Sequence, residues 1–361
     1  MTVAVLTSGG DSPGMNSAVR AVVFLAAARG GPVVGVERGY LGLLDRRFRP
    51  LTRDVAGGLA PLPEVSVHGN LGGSFLGSAR CKPFYTPEGR ATAAKSLAEF
   101  QGLVVIGGNG SLAGAHRLAE EHGVRLVGVP ASIDHDIGCT NTAIGVDSAL
   151  NTIVSACDRI SDTARAHRRA FVVEVMGRRS GYLCMAAAVA TAADAALFRE
   201  AGRSEDELVQ NLANLVRRSF SGDRDKQRVL ILKAEGVEVP CTRLVRRVQE
   251  LLGDELETMG ASVRATVLGH LVRGGPPSYQ DRAVAGRFGA VALTSLLNGK
   301  SDVMTAWSPP VAGGEDTVDR HVKLFGLGEV LEETERLLDG SSPVTQARVK
   351  AMARMAGVLA L

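Results

Sequence analysis

Two carboxylates separated by one residue, Asp134 and Asp136, stand in the segment 130–136, directly after an apolar run. Carboxylates placed in this way can accept the proton of a hydroxyl group or hold a divalent cation. The same residues also form turns and helix caps, and that alternative stays open for this segment alone. His135 lies between them, and a lone loop histidine more often faces solvent or bonds to backbone than binds a metal.

Two glycine-rich segments, 7–16 (TSGGDSPGMN) and 107–111 (GGNGS), each follow an apolar run and precede a predicted helix. Glycine lets the backbone approach a phosphate closely, and a helix N-terminus offers N–H groups and positive dipole. Neither segment has the lysine of a P-loop or the GxGxxG spacing. Each alone could be a plain tight turn. Together they favour a site for one long polyphosphate.

Basic residues recur near the ends of later predicted strands. Bidentate arginines are natural receptors for a phosphate monoester, although Arg168 and Arg169 could equally form a solvated face. The candidate phosphate receptors are Arg169, Arg178, Arg264, His270 and Arg273.

Short runs rich in Val and Ile alternate with helix-period segments, which is typical of parallel sheets whose ligands sit beyond the carboxyl ends of the strands. The predicted strands are 3–6, 33–36, 103–106, 126–129, 171–175, 229–232 and 263–268. The predicted helices lie at about 15–29, 90–100, 111–122, 148–166, 181–192, 205–219 and 242–256, with a helical tail from about 343. The segment 301–327 is weakly patterned.

Length and composition exclude several classes of protein. A chain of 361 residues exceeds the size at which one core stops growing, which predicts two α/β lobes. A net charge of +3 does not indicate a nucleic-acid binder. The five scattered cysteines have no CxxC spacing, which predicts free thiols in a reducing cytoplasm. The first apolar run has no basic leader, which predicts a buried strand in a cytoplasmic protein and no signal peptide. The apolar stretches are too short to span a bilayer, which indicates no membrane role.

Taken together, these segments resemble the ATP-type 6-phosphofructokinase family from residue 3 to about 287. The resembling stretches are LTSGGDSPGMN, GYLGL, FLGSARC, VVIGGNGS, SIDHD, RRAFVVEVMGRRSGY and RATVLGHLVRGGPPSYQDR. The resemblance implies two doubly wound lobes with mainly parallel sheets. The nucleotide-binding lobe would comprise 1–145 and about 273–325, and the sugar-phosphate-binding lobe about 146–272 and about 326–361. It also implies a homotetramer with sites at subunit interfaces, a nucleotide and a sugar phosphate as partners, and Mg²⁺.

The resemblance also implies a role for each matching position. Asp134 would take the proton of the sugar 1-hydroxyl as it attacks the γ-phosphate of ATP, Arg178 would stabilise the transition-state charge, and Ser132 would position phosphates. The nucleotide site would comprise Gly10, Tyr40, Arg80, Cys81, Gly108, Asn109, Gly110 and Ser111. The sugar phosphate would be held by Ser132, Asp134, Asp136, Arg169, Met176, Gly177, Arg178, Glu235, Arg264, His270 and Arg273. Asn109 and Asp136 would serve the metal, and Gly10 would also belong to the catalytic set.

Several positions bear on donor and regulation. Gly110 and Ala131 stand where pyrophosphate-using relatives characteristically carry Asp and Lys, which favours ATP. Asn109 replaces a usual Asp, and SIDHD replaces TIDND at Ser132 and His135. Phe24 and Ser161 replace two allosteric arginines, although Arg20 remains.

Two alternatives to the glycolytic reaction remain open. The chain could be a catalytically weakened paralogue that binds sugar phosphate or nucleotide as a regulator, which Asn109 favours. It could instead be a specialised-pathway kinase for another sugar phosphate, including one that uses pyrophosphate.

Overall fold

A computed structural model describes residues 2–221 and 227–355 of the chain. The chain divides into two compact units. As far as the described residues extend, the first is formed by Met1–Ser148 and Arg273–Asp339 and the second by Ala149–Val272 and Gly340–Leu361.

The first unit is built on an eight-stranded, mainly parallel sheet with the strand order β13-β14-β12-β7-β6-β1-β2-β3. Its strands are β1 (Val3–Ser8), β2 (Val33–Val36), β3 (Phe48–Pro50), β6 (Gly102–Gly107), β7 (Leu126–Pro130), β12 (Val303–Trp307), β13 (Glu315–Asp316) and β14 (Val322–Gly326), and β4 (Thr52–Val55) and β5 (Gly58–Pro61) form a separate hairpin. Its helices are α1 (Met15–Ala28), α2 (Tyr40–Leu44), α3 (Pro63–His68), α4 (Pro87–Leu97), α5 (Asn109–His122), α11 (Tyr279–Leu297) and α12 (Leu327–Asp339).

Burial explains why β1, β6 and β7 are continuous apolar runs. Every residue of these three strands is buried, as expected for parallel strands covered on both faces. The core includes side chains of α1 and α11, such as Val19, Val22 and Phe288. The sheet is therefore a rigid base for the loops at its carboxyl edge.

The second unit contains a four-stranded parallel sheet with the order β11-β8-β10-β9. Its strands are β8 (Arg169–Val175), β9 (Ala195–Leu197), β10 (Arg228–Ala234) and β11 (Ser262–Val267). Its helices are α6 (Val146–Ala166), which begins in the first unit, α7 (Tyr182–Ala190), α8 (Glu205–Phe220), α9 (Cys241–Leu252), α10 (Glu255–Thr258) and α13 (Pro343–Arg354). None of the helices described is both long enough and apolar enough to cross a membrane.

The α/β class and all seven predicted strands are confirmed, and several details differ, among them the helices α11 and α12, which the sequence analysis did not predict. The helix predicted at 242–256 is interrupted by Gly253, whose φ of +48° lies in the left-handed region, so α9 and α10 are separate. The weakly patterned segment 301–327 contains β12, β13 and β14. The last crossing between units, predicted at about 325, lies after Asp339.

Candidate active site

Three loops follow adjacent strands at one edge of the first sheet. β1 pairs with β6 and β6 pairs with β7, all in parallel, with Ser8 opposite Gly107 and Gly107 opposite Pro130. A Cβ on Gly9 would lie 3.2 Å from Ser111 Oγ, so the two glycine-rich segments are immediate neighbours. The predicted pair of phosphate loops is therefore assembled side by side.

Glycines occupy the cap positions of both following helices. Gly14 caps α1 at a φ of +110°, and Gly108 caps α5. Glycine has no side chain to accept N–H bonds, so no cap side chain covers these helix ends, although the Met15 and Ser111 amides donate to the Ser12 and Gly108 carbonyls. Gly110 is exposed, and a Cβ there would meet no atom within 4 Å. The first turn of α5 thus borders open space.

The side chain of Tyr40 joins the first turn of α5, at Ser111, to the segment that contains Cys81. The buried Tyr40 hydroxyl donates to the Ser111 carbonyl at 2.6 Å, and its ring stacks on Phe84 with the centroids 4.0 Å apart. Burial raises the pKa of Tyr40, which keeps the hydroxyl a hydrogen-bond donor. Cys81 is buried just before Phe84. Tyr40 therefore anchors the first turn of α5.

The segment 71–80, which leads to Arg80, is tied to α1 and β1. Asn16 Nδ2 donates to the Leu71 and Gly72 carbonyls, and Asn16 Oδ1 accepts the Phe75 amide at 2.9 Å. Thr7 Oγ1 donates to the Gly77 carbonyl at 3.0 Å. Arg80 itself is exposed. These bonds fix the path of the chain to Arg80 beside the first glycine-rich loop.

The loop after β7 holds both predicted carboxylates and is buried throughout 131–140. Ser132 Oγ donates to Asp136 Oδ1 at 2.9 Å, and Asn109 Nδ2 donates to Asp136 Oδ2 at 2.8 Å. The Asp134 amide donates to Ser132 Oγ at 3.3 Å. Ser132 and Asn109 therefore fix the orientation of the Asp136 carboxylate.

His135 is buried, which answers the question left open by the sequence. Its backbone has a φ of +50°, and its Nε2 is 3.0 Å from the Asn141 carbonyl oxygen. A ring nitrogen at that distance from a carbonyl donates its proton to it. His135 therefore bonds to the backbone and turns the chain between the two aspartates.

Arg273 is buried in the first unit, beside the proposed base. Its Nη2 lies 3.7 Å from Asp134 Oδ2, and its Nη1 donates to the Asp11 carbonyl at 3.1 Å. A Cβ on Gly10 would come within 3.0 Å of Arg273 Nη1. The sequence grouped Arg273 with the phosphate receptors Arg264 and His270, whereas the structure places its guanidinium on Asp134 and the first glycine-rich loop.

In the second unit, Met176 follows β8 and leads into a tight turn from Gly177 to Ser180, which the Ser180 amide closes by donating to the Gly177 carbonyl at 2.8 Å. Gly177 has a φ of +147° and Arg178 a φ of +48°, which is unusual for a residue with a side chain. Glu235 Oε1 accepts the amides of both Gly177 and Arg178. The Arg178 residue is exposed at this turn.

The other predicted phosphate receptors of the second unit lie on or after its sheet. Arg169 begins β8 and is opposite Ser262 of β11, and Arg264 on β11 is exposed. His270 is exposed in a short 3₁₀ helix that follows β11. Each is accessible enough to meet a ligand.

Asp281 is a site-supporting residue that the sequence did not single out. Its buried carboxylate accepts the Gly145 amide and both the amide and the hydroxyl of Ser148, at 2.6 to 2.8 Å. Burial raises its pKa. It secures the end of the loop that carries Asp134 and Asp136, and its position inside the resembling stretch SYQDR was the available signal.

Known proteins resemble this chain over most of its length. The phosphofructokinase family model matches residues 2–296. The chain is 45% identical over 307 residues to the ATP-dependent 6-phosphofructokinase of Thermotoga neapolitana, covering 84% of this chain and 89% of that protein. It is 42% identical over 304 residues to the enzyme of the same name from Halalkalibacterium halodurans, covering 83% of this chain and 88% of that protein.

A solved structure shares the fold as well. The phosphofructokinase of Saccharomyces cerevisiae superimposes with a TM-score of 0.74 at 32% identity, covering 94% of this chain and 47% of the yeast chain. This chain thus spans about half the length of the yeast one. With a family model across most of its length and relatives above 40% identity, the chain belongs to the phosphofructokinase family.

Proposed function

We propose that this protein transfers the γ-phosphate of ATP to the 1-hydroxyl of fructose 6-phosphate. The observation that carries the proposal is the placement of a buried carboxylate, Asp134, on the strand end next to two adjacent glycine-rich loops. Phosphoryl transfer requires a polyphosphate cradle and a group that accepts the hydroxyl proton, and these loops supply both. The ATP-dependent 6-phosphofructokinases among its relatives support the choice of reaction.

The residues of the first unit fit the parts of this reaction. Asp134 accepts the proton of the attacking hydroxyl, and the Arg273 guanidinium lies 3.7 Å from its Oδ2. The first turns of α1 and α5, with Gly10, Gly108 and Ser111, hold the phosphates, and Ser132 helps to position them. Tyr40, Arg80 and Cys81 complete the nucleotide site.

Mg²⁺ fits the group formed by Asn109 and Asp136. Asp136 is a carboxylate with both oxygens held in place, and each can accept more than one partner. Within the described part of the chain no group donates to the buried Asn109 Oδ1, which leaves a hard oxygen for a cation. Asp136 and Asn109 would hold the ion, which neutralises charge on the phosphates when bound.

The residues of the second unit are proposed to bind the acceptor. Met176, Gly177 and Glu235 would contact the sugar, Arg178 would stabilise charge on the transferring group, and guanidinium and imidazole groups would hold the 6-phosphate. The proposed 6-phosphate receptors of this unit are Arg169, Arg264 and His270, and Arg273 of the first unit is proposed as a fourth. Location in the cytoplasm and assembly as a homotetramer are part of the same proposal.

Coupled ADP release with Mg-ATP and a panel of sugar phosphates tests the proposal, and formation of the sugar bisphosphate is measured in parallel with pyrophosphate as the donor. We expect brisk turnover on fructose 6-phosphate with ATP. Preference for another ketose phosphate or for pyrophosphate would point to a specialised kinase. Ligand binding without turnover would point to a regulator.

A further inference from the structure

A lysine is buried completely inside the sheet of the second unit. Lys233 is 1% exposed and follows four almost fully buried apolar residues of β10, Val229 to Leu232. Its ammonium would be costly in this environment without partners. It has three: Nζ donates to Glu174 Oε2 at 2.9 Å, to the Ala234 carbonyl at 3.2 Å and to the Val237 carbonyl at 3.1 Å.

The two carbonyls are the ends of one turn. The Val237 amide donates to the Ala234 carbonyl at 3.1 Å, so residues 234–237 close on themselves with the Lys233 ammonium bound to both ends. Glu174, the third partner, lies directly opposite Lys233 on the neighbouring strand β8. The ammonium therefore connects the end of β10 to the end of β8.

This turn contains Glu235, which hydrogen-bonds to the backbone at Gly177 and Arg178. Glu235 Oε1 accepts the amides of Gly177 and Arg178, and the Glu235 amide donates to the Val175 carbonyl at 2.9 Å. A Cβ on Gly236 would lie 2.3 Å from the Arg178 carbonyl oxygen, so the two turns are in direct contact. Since the backbone of Arg178 is in the left-handed region, its conformation depends on such support.

We propose that Lys233 is a positioning residue for the sugar-phosphate site. Its three hydrogen bonds fix the 234–237 turn against Glu174, and the fixed turn places Glu235 so that Gly177 and Arg178 keep their ligand-binding conformation. The inference rests on the proposed function in assigning that turn to the sugar phosphate. A neutral side chain would fill the space without fixing the turn against Glu174, because it could not satisfy both carbonyls and the carboxylate.

Lys233→Met and Lys233→Gln test this role, since Met keeps the length of the side chain without donors and Gln retains two N–H groups. The KM for fructose 6-phosphate should rise about tenfold or more in Lys233→Met and by less in Lys233→Gln. The KM for ATP should stay within twofold of the wild-type value. If the Met variant does not fold, the Gln variant decides by the same comparison. Unchanged KM values, or equal rises for both substrates, would overturn the proposal.

Hydrogen exchange separates this inference from the proposed function. The amides of Gly177 and Arg178 should be protected in the wild-type protein and exchange at least tenfold faster in the Gln variant, while amides of β6 keep their rates. If the wild-type protein does not phosphorylate fructose 6-phosphate but these amides still exchange faster in the Gln variant, the positioning role stands and the substrate assignment is rejected. Unchanged exchange at Gly177 and Arg178 would reject the positioning role whatever the substrate.

Discussion

The Asn109 side-chain amide donates to the Asp136 carboxylate at 2.8 Å and to the Asp136 carbonyl at 3.0 Å. The first turn of α5 and the loop after β7 are thus joined by a neutral donor. A carboxylate at position 109 could form neither bond and would face Asp136 with like charge. Asn109 therefore holds the two loops together without depending on a cation between them.

Asn109→Asp should make the stability of the protein depend on Mg²⁺. Loss of a hydrogen bond to a charged group costs about 1.5–3 kcal/mol, and repulsion between the two carboxylates adds to it. We expect a lower Tm in EDTA and recovery in millimolar Mg²⁺, with half-maximal activity at a lower Mg²⁺ concentration. Asn109→Ala is the control and should lose Tm without recovery. A variant as stable as the wild type in EDTA would contradict the role given to the amide.

Asp134→Ala should lower turnover by about two to four orders of magnitude, the usual contribution of a positioned proton acceptor. The KM for ATP should change little, because the glycine-rich loops are untouched. His135→Asn is the matched control, since asparagine tolerates the φ of +50° at this position, and it should keep turnover within about tenfold. Steady-state kinetics of the wild type, Asp134→Ala and His135→Asn test this prediction. Near-normal turnover of Asp134→Ala would remove Asp134 from the mechanism.

The parts of the site that the sequence predicts are those fixed by parallel strands. Loops that follow β1, β6 and β7 must meet at one edge, so the adjacency of Gly9, Ser111 and Asp134 follows from apolar runs and glycine-rich ends. The place of Arg273 does not follow, because its contact with Asp134 joins residues far apart in the chain with no periodic signal between them.

The sequence pattern also fails to predict residues that lie in environments or elements unusual for their type. The predicted strand 229–232 stops before Lys233 because a lysine normally marks the end of a buried run, whereas β10 continues to Ala234. β13 consists of two exposed residues, Glu315 and Asp316, and exists only through its antiparallel pairing with β14. Such pairing depends on partners elsewhere in the chain, which local pattern does not report.

Gly110→Asp should weaken ATP binding without weakening the fold. A side chain there meets no atom within 4 Å, and an acidic residue in the first turn of a helix is favourable, so the Tm should not fall. The added carboxylate would face the phosphates, and we expect the KM for ATP to rise about 10- to 100-fold by like-charge repulsion. Gly286→Asp is the control, since Gly286 is also a helical glycine with open space, and its KM should stay within twofold. An unchanged KM in Gly110→Asp would place the nucleotide away from the first turn of α5.

The five buried cysteines should react with a thiol reagent in a defined order. Burial raises the pKa of Cys139 and Cys184 to about 12 and of Cys157 and Cys241 to about 11, and it raises the pKa of Cys81 as well. Few thiolates are therefore present at pH 8 in the native protein. Cys81 is 8% exposed while the other four are at most 2% exposed, so the first thiol to react should be Cys81.

Time courses with Ellman's reagent at pH 8 test this order in the wild type and in Cys81→Ala. The variant should lose the fast phase, Mg-ATP should slow that phase in the wild type, and unfolding in guanidinium should expose all five thiols. A fast phase that persists in Cys81→Ala would show that another cysteine is the accessible one.

The raised thiol pKa values also stabilise the fold below pH 9, the approximate pKa of a thiol in the unfolded chain, and this contribution is lost as the pH rises through 11 to 12. The Tm should therefore decline from pH 9 upward as thiols of the unfolded chain ionise.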